Sequence, residues 1–155
     1  MAQQFANLAL NIGPGSSATN QYHCLARSGD ATQTANTNSN IVNGCRALKD
    51  YQDFAKCEEQ GAHAYGHNGI GGVMRDVYGS PGDPVFWLHH GMVDRHFRIW
   101  QNDDSSRTGY IDGDGPNGQA LTLDTTIYLN GLKPDMKVSD VMNTLNSPMC
   151  YRYSY

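Results

Sequence analysis

A chain of 155 residues is about one domain long. It is 39% hydrophobic, below the roughly 45–50% usual for globular domains on a count that also includes glycine, so its core must be thin; 17 glycines and 6 prolines imply much irregular backbone. The formal charge of −4, from 11 basic and 15 acidic residues, argues against a nucleic-acid or anionic-membrane surface, and the sequence holds no apolar run long enough to span a bilayer.

Met1 to Asn7 has neither a basic n-region nor an apolar h-region, so no signal peptide is read there. Secreted and cytosolic locations both stay open. The four cysteines, Cys24, Cys45, Cys57 and Cys150, form no CxxC pair. An even count in a loop-rich chain predicts two disulfides, with three possible connectivities.

Residues 1–47 read as mostly irregular. Phe5 to Ile12 alternates apolar and polar positions as a strand does, and Gly13-Pro14-Gly15 interrupts it. Residues 31–40, rich in Thr, Asn and Ala, read as a low-complexity surface loop. Helices are predicted over Leu48–Phe54 and Lys56–Asn68. Gly61 and Gly66 each weaken the second by roughly 1 kcal/mol relative to alanine, and close packing beside a metal would account for them. Gly69, Gly71 and Gly72 end it.

The strongest helix opens at Asp83, a good N-cap, with Pro84 at the first helical position, where its missing N–H costs nothing. Phe86, His90, Val93, Phe97 and Trp100 follow the spacing of one face, to about Gln101. Residues 102–155 read as loop plus short elements. Asp112-Gly-Asp-Gly lacks the spacing and terminal Glu of an EF-hand and reads as a turn. Leu121–Leu129 is a candidate strand and Val138–Leu145 a short helix with Ser139 as N-cap. The whole is expected to be a single domain over 1–155, mainly α and loop-rich.

The histidines carry the chemistry. His63 and His67, four residues apart, share one helix face and can bind one ion. His90, on the next helix, makes a third nitrogen. Three neutral imidazoles leave a coordination position open, which suits reactive copper or zinc better than a closed structural site. His23 lies in polar loop text, and His96 falls on a different face from His90; neither is expected to ligate.

Joined, these segments resemble the second copper half (the CuB half) of the tyrosinase family of type 3 copper proteins. The matching text is His63-xxx-His67-Asn-Gly-Ile-Gly-Gly-Val-Met, then Ser80-Pro-Gly-Asp-Pro-Val-Phe-Trp-Leu-His-His-Gly-Met-Val-Asp-Arg95, then Trp100-Gln101. Phe5-Ala-Asn-Leu with Gly13-Pro14 resembles the segment after the first copper site in fungal members, and Cys150-Tyr-Arg-Tyr153 resembles their closing tyrosine motif. The likeness covers nearly the whole chain.

The resemblance implies copper ligation by His63, His67 and His90, the helix pair being half of a four-helix bundle. It turns His89 elsewhere, toward the substrate side or a structural hydrogen bond, and places Phe86 beneath the site. Asn68 follows the second histidine. Asp94, one turn past His90, orients an imidazole or pairs with Arg95 or Arg98. The implied chemistry is oxidation of o-diphenols, a small phenolic substrate, to quinones by dioxygen.

Two departures bear on function. Only His23 precedes His63, so the first (CuA) histidine set is absent from this chain. Ala64 stands where many tyrosinases carry an Asn associated with monophenol deprotonation, with Glu58 and Glu59 as candidates for the accompanying carboxylate. Catechol oxidation is therefore expected over phenol monooxygenation. A second copper would come from a missing CuA half or a homodimer completing the bundle. The alternative is a mononuclear copper-binding or oxygen-carrier-like half domain. Zinc remains a possible substitute, since affinity order favours copper but supply and geometry decide occupancy.

Overall fold

The computed structural model describes residues 5, 7–16, 20–115 and 117–154. They fall into two compact units, Met1–Cys45 with Cys57–Asp94, and Arg46–Lys56 with Arg95–Tyr155. The structure is mainly helical and loop-rich, as predicted; its strands are only two residues long.

The first unit opens with β1 (Ala9–Leu10), antiparallel to β2 (His23–Cys24) in the register Ala9↔Cys24. The strand-like text from Phe5 to Ile12 thus forms a strand of two residues, flanked by bonds from Leu25 N to Leu8 O and from Gln21 N to Asn11 O, both 2.9 Å; Ala6 lies outside the described residues. The Asp76 carboxylate ties down the following loop by accepting from the backbone N–H groups of Gly15, Tyr78 and Gly79.

Residues 31–40 are not a loop. Asp30 accepts from Thr32 N and Gln33 N and starts α1 (Ala31–Thr34), and Asn38 accepts from Asn40 N and Ile41 N at the start of α2 (Ser39–Arg46). Short polar side chains that look like loop composition here serve as helix caps. A Cβ at Gly69 would stand 2.5 Å from Thr34 Oγ1, and Gly69 O accepts from Asp30 N at 2.8 Å, so α1 sits directly on the helix that carries Gly69.

The predicted helices over 48–54 and 56–68 are divided differently. α3 (Tyr51–Glu58) runs through a π-helical turn (Glu59–His63) into α4 (Ala64–Ile70). The kink is at Gly61 (φ −92°, ψ −120°), whose missing Cβ would lie 3.2 Å from Ile41 Cγ2 and 3.8 Å from Cys45 Sγ. Cys45 is bonded to Cys57. This is the one disulfide among the described residues: Cys24 and Cys150 are free and exposed, which corrects the expectation of two. After α4, Gly72 (φ +56°) brings its backbone to Ala26, whose carbonyl accepts from Val73 N at 2.9 Å; a Cβ there would meet that oxygen at 2.1 Å.

α5 (Pro84–Asp103) begins where its cap predicts and extends two residues past Gln101. Asp83, fully buried, accepts from Val85 N at 2.9 Å and takes a bidentate bond from Arg27, Nε at 2.9 Å and Nη2 at 2.7 Å. Burial alone would raise the Asp83 pKa, but the Arg27 hydrogen bond, the Val85 amide and the Arg27 charge hold it below the usual carboxylate value.

The second unit is organised by Trp100, 2% exposed. Its Nε1–H donates to Leu48 O at 2.8 Å, and its ring stacks on Phe54 at 4.8 Å between centroids. The Arg107 guanidinium lies 4.3 Å over the same ring. Ile111, Val138 and Met142 form a second buried cluster with Tyr51, Phe97 and Ile127 against it. The predicted strand over Leu121–Leu129 is reduced to β3 (Thr126–Ile127), paired with β4 (Met136–Lys137). The predicted helix over Val138–Leu145 is the single turn α6 (Val138–Val141), with Lys137 rather than Ser139 at its N-cap. The Lys137 backbone N–H donates to Asp140 Oδ2, three residues on, at 2.9 Å. Asp112 Oδ1 accepts from Gln52 N at 3.1 Å.

Candidate metal centre

The π-helical turn ends at His63, and α4 carries His67 one turn later; α5 brings His90 from the other side. Their ligand atoms all lie within 4.8 Å of one another, the one such cluster of metal-ligating side chains among the described residues. The Nε2 atoms of His67 and His90 face each other at 3.1 Å. Two nitrogens held at ~2.0–2.1 Å from one tetrahedral ion would stand about 3.3–3.4 Å apart, so the spacing fits a shared cation with little adjustment.

The protonation pattern fits too. His67 Nδ1–H donates to the Met74 carbonyl at 2.6 Å, which leaves its Nε2 lone pair aimed at His90. Burial lowers the His67 pKa, the Met74 bond opposing and the neighbouring His63 reinforcing it. Burial first, and then the neighbouring histidines, push His90 down to about 4. These imidazoles are therefore neutral at pH 7, as ligation requires. Two neutral rings meeting through Nε2 atoms need either a shared proton or a cation between them. Three imidazole nitrogens gathered at one point suit a late first-row cation such as copper. His63 Nδ1 stands 3.0 Å from Glu59 Oε2, within ion-pair distance but without hydrogen-bond alignment.

His89 is not in the cluster. Its Nε2–H donates to the backbone carbonyl of His63 at 3.0 Å, and burial is the first cause that lowers its pKa. Phe86 stacks on His90 with centroids 4.0 Å apart and meets His67 edge-on at 5.9 Å. Asn68 Oδ1 accepts from Arg75 Nε at 3.2 Å. Both border a cavity of about 420 Å³ that the three histidines open into, with Val77, Pro81 and Phe86 as its apolar wall. Asp94 is half-buried on α5 one turn past His90. His23 lies in β2, its Nδ1 against Gln21 O at 2.8 Å, and is not part of the cluster; nor is His96.

Two parts of the site carried no side-chain signal in the sequence. The Met74 carbonyl that fixes His67 is a backbone group. The other is the slot at Gly66, where a Cβ would fall 2.3 Å from His89 Cε1. Only the presence of a glycine inside helical text hinted at it.

Residues 1–103 match the family model described as the common central domain of tyrosinase. Tyrosinase P of Aspergillus terreus is 39% identical over 104 residues, covering 61% of this chain and 28% of that protein. The N-acetyl-6-hydroxytryptophan oxidase ivoB of Emericella nidulans is 36% identical over 104 residues, covering 60% and 28%. Oxidase hkm6 of Aspergillus hancockii is 29% identical over 178 residues, covering 96% and 62%. The matches thus take in between about a quarter and two thirds of these relatives' lengths.

Proposed function

Because the chain belongs to the tyrosinase family of copper oxidoreductases, we propose that it is the half of such an enzyme that holds one copper through His63, His67 and His90. It oxidises o-diphenols to quinones when a second three-imidazole set stands opposite. The observation that carries this is the pair of Nε2 atoms at 3.1 Å, one of them fixed as a lone-pair donor by the Met74 carbonyl.

Bound copper supplies one-electron redox change between Cu(I) and Cu(II). Two o-diphenols give up four electrons and four protons, and one dioxygen takes them to become two waters. The chain's own residues hold and orient. Met74 O keeps the proton on His67 Nδ1, and Phe86 locks the His90 ring by stacking. The apolar wall of Val77, Pro81 and Phe86 offers an aromatic substrate a face to lie on and reduces water at the metal. A relative named as an oxidase of a hydroxylated aromatic agrees with a phenolic substrate. With Ala64 after His63, diphenol oxidation is favoured over monophenol hydroxylation.

An exposed apolar stripe on α5 supports a covering partner. Trp87 (65% exposed), Leu88 (76%) and Met92 (47%) surround Gly91, which has open space over its Cα. A helix laid there would stand beside His90. The partner is either a polypeptide bearing the CuA histidines or a second copy of this chain.

Copper titration of the purified chain, followed by EPR, sedimentation and catechol-dependent oxygen uptake, tests the reading. Expected is one copper per chain lost in His67→Ala and His90→Ala, with oxygen uptake only where the signal is silenced by a coupled second copper. Copper binding indifferent to both substitutions would overturn it. One EPR-visible copper in a monomer under every condition, with a CuA-bearing partner added, would favour the mononuclear copper-binding alternative.

A further inference from the structure

His89 is a half-buried imidazole that the metal set leaves unused, although it is the immediate neighbour of His90. Consecutive residues on a helix point about 100° apart, so the two cannot address the same point. His90 turns its Nε2 to His67, and His89 turns its Nε2–H to the carbonyl of His63 on the other helix, at 3.0 Å. That carbonyl ends the π-helical turn, where the backbone ladder is out of its ordinary register: Ala64 N reaches back to Glu59 O.

Three further contacts make the placement specific. The His89 ring lies parallel to that of His63 (3° between planes, centroids 5.5 Å apart) and edge-on to His67 at 4.8 Å. The ring occupies the space over Gly66, where any Cβ would fall 2.3 Å from Cε1, 2.8 Å from Nδ1 and 2.9 Å from Nε2. The one glycine between His63 and His67 is thus the position a side chain would close to His89.

We propose that His89 is a positioning residue for the metal: by bonding the His63 carbonyl through the Gly66 slot, it sets the spacing between the His63–His67 pair on one helix and His90 on the other. This rests on the copper reading given above. The pair His89-His90 then works as a unit, one ring gripping the backbone of the opposite helix and the next delivering a ligand atom. Outer partners of this kind tune metal affinity by roughly 10–100-fold.

Wild type, His89→Gln, His89→Phe and Gly66→Ala chains are titrated with Cu(II) against a competing chelator. Each is examined by EPR, and its metal-free melting is followed by circular dichroism. Glutamine keeps an N–H donor at a similar reach, so His89→Gln is expected to retain copper affinity within about threefold and the wild-type nitrogen hyperfine pattern. Phenylalanine keeps the ring and loses the donor. His89→Phe and Gly66→Ala are each expected to weaken copper binding about tenfold or more and to shift the hyperfine splitting while still showing three nitrogens. A purely packing role would lower their melting and leave affinity and spectrum of the folded fraction unchanged; that result overturns the proposal. Should His89→Phe not fold, Gly66→Ala read against His89→Gln decides by the same criteria. Failure of the copper reading looks different: the wild-type chain would then show no binding that depends on His63, His67 and His90.

Discussion

Replacing Asp83 probes the anchor that places α5, and with it Phe86 and His90. The carboxylate is fully buried, caps the helix through Val85 N, and takes two charge-assisted bonds from Arg27. Losing the cap is worth about 1 kcal/mol. Truncating one partner of a fully buried ion pair costs ~3–5 kcal/mol, but the Arg27 side chain is 24% exposed and can recover water, which brings that term to about 2 kcal/mol. Asp83→Ala should therefore lose about 3 kcal/mol. Asp83→Asn keeps an acceptor for the cap and one neutral bond to Arg27, and should lose about half as much. Urea unfolding of the metal-free chain at pH 7, followed by circular dichroism, measures both. The folded pKa of Asp83 is depressed, so its stabilisation is complete above the unfolded value of ~3.9 and is lost as pH falls through the folded one. The gap between wild type and Asp83→Ala should be full at pH 7 and narrow below about pH 4. A loss under about 1 kcal/mol in the alanine variant, or a gap independent of pH, would refute the assignment of Asp83 as a charged anchor.

Two further outcomes can be checked on the same material. Cys45 and Cys57 close a loop of separation 12, so the double serine variant should be less stable by about 3 kcal/mol, read as a lower urea midpoint and as loss of any effect of reductant. In the metal-free chain the lowered pKa values of His67, His89 and His90 mean that the unfolded state takes up protons these rings refuse. Stability should therefore fall as pH drops below about 6.5, and His90→Gln should blunt that fall in the same titration.

The long amphipathic helix and its cap were legible because their signals are local: Asp83, Pro84 and the Phe86–His90–Trp100 stripe lie within one stretch of chain. Spacing put His63 and His67 on one face, and the resemblance to the CuB motif picked His90 rather than His89 as the third member of the cluster the structure brings together. What escaped depends on which segment lies across the way. Asp30 and Asn38 read as loop residues in polar text, since a cap is recognised only once the N–H groups it accepts are in helical array. The π-helical turn at Gly61 follows from the approach of Ile41 and Cys45, and a contact between residues 20 and 16 positions apart leaves no period in the sequence. Cysteine counting gave an even number but not the pairing: Cys24 and Cys150 contribute to that parity without bonding.

The exposed face of α5 separates the two ways of completing the site by a free-energy argument. Burying a side chain such as Trp87, Leu88 or Met92 from full exposure is worth roughly 1.5–3 kcal/mol, and the three begin between 47% and 76% exposed. Together they offer about 4 kcal/mol. Bringing two free bodies together costs an estimated 4–15 kcal/mol at 1 M standard state. In a two-fold dimer both copies bury the patch, about 8 kcal/mol together, which lies inside that range of cost, so such a dimer would be weak at micromolar concentration without a metal to bridge it. A partner already held close, with most of its translational freedom gone, escapes most of that cost and can use the same patch fully. Sedimentation over a wide concentration range reads the difference: a metal-free monomer that dimerises only as copper is added would mean that copper joins two copies. A monomer throughout would direct the search to a CuA-bearing partner, and a tight metal-free dimer would show that far more surface than these three side chains is at work.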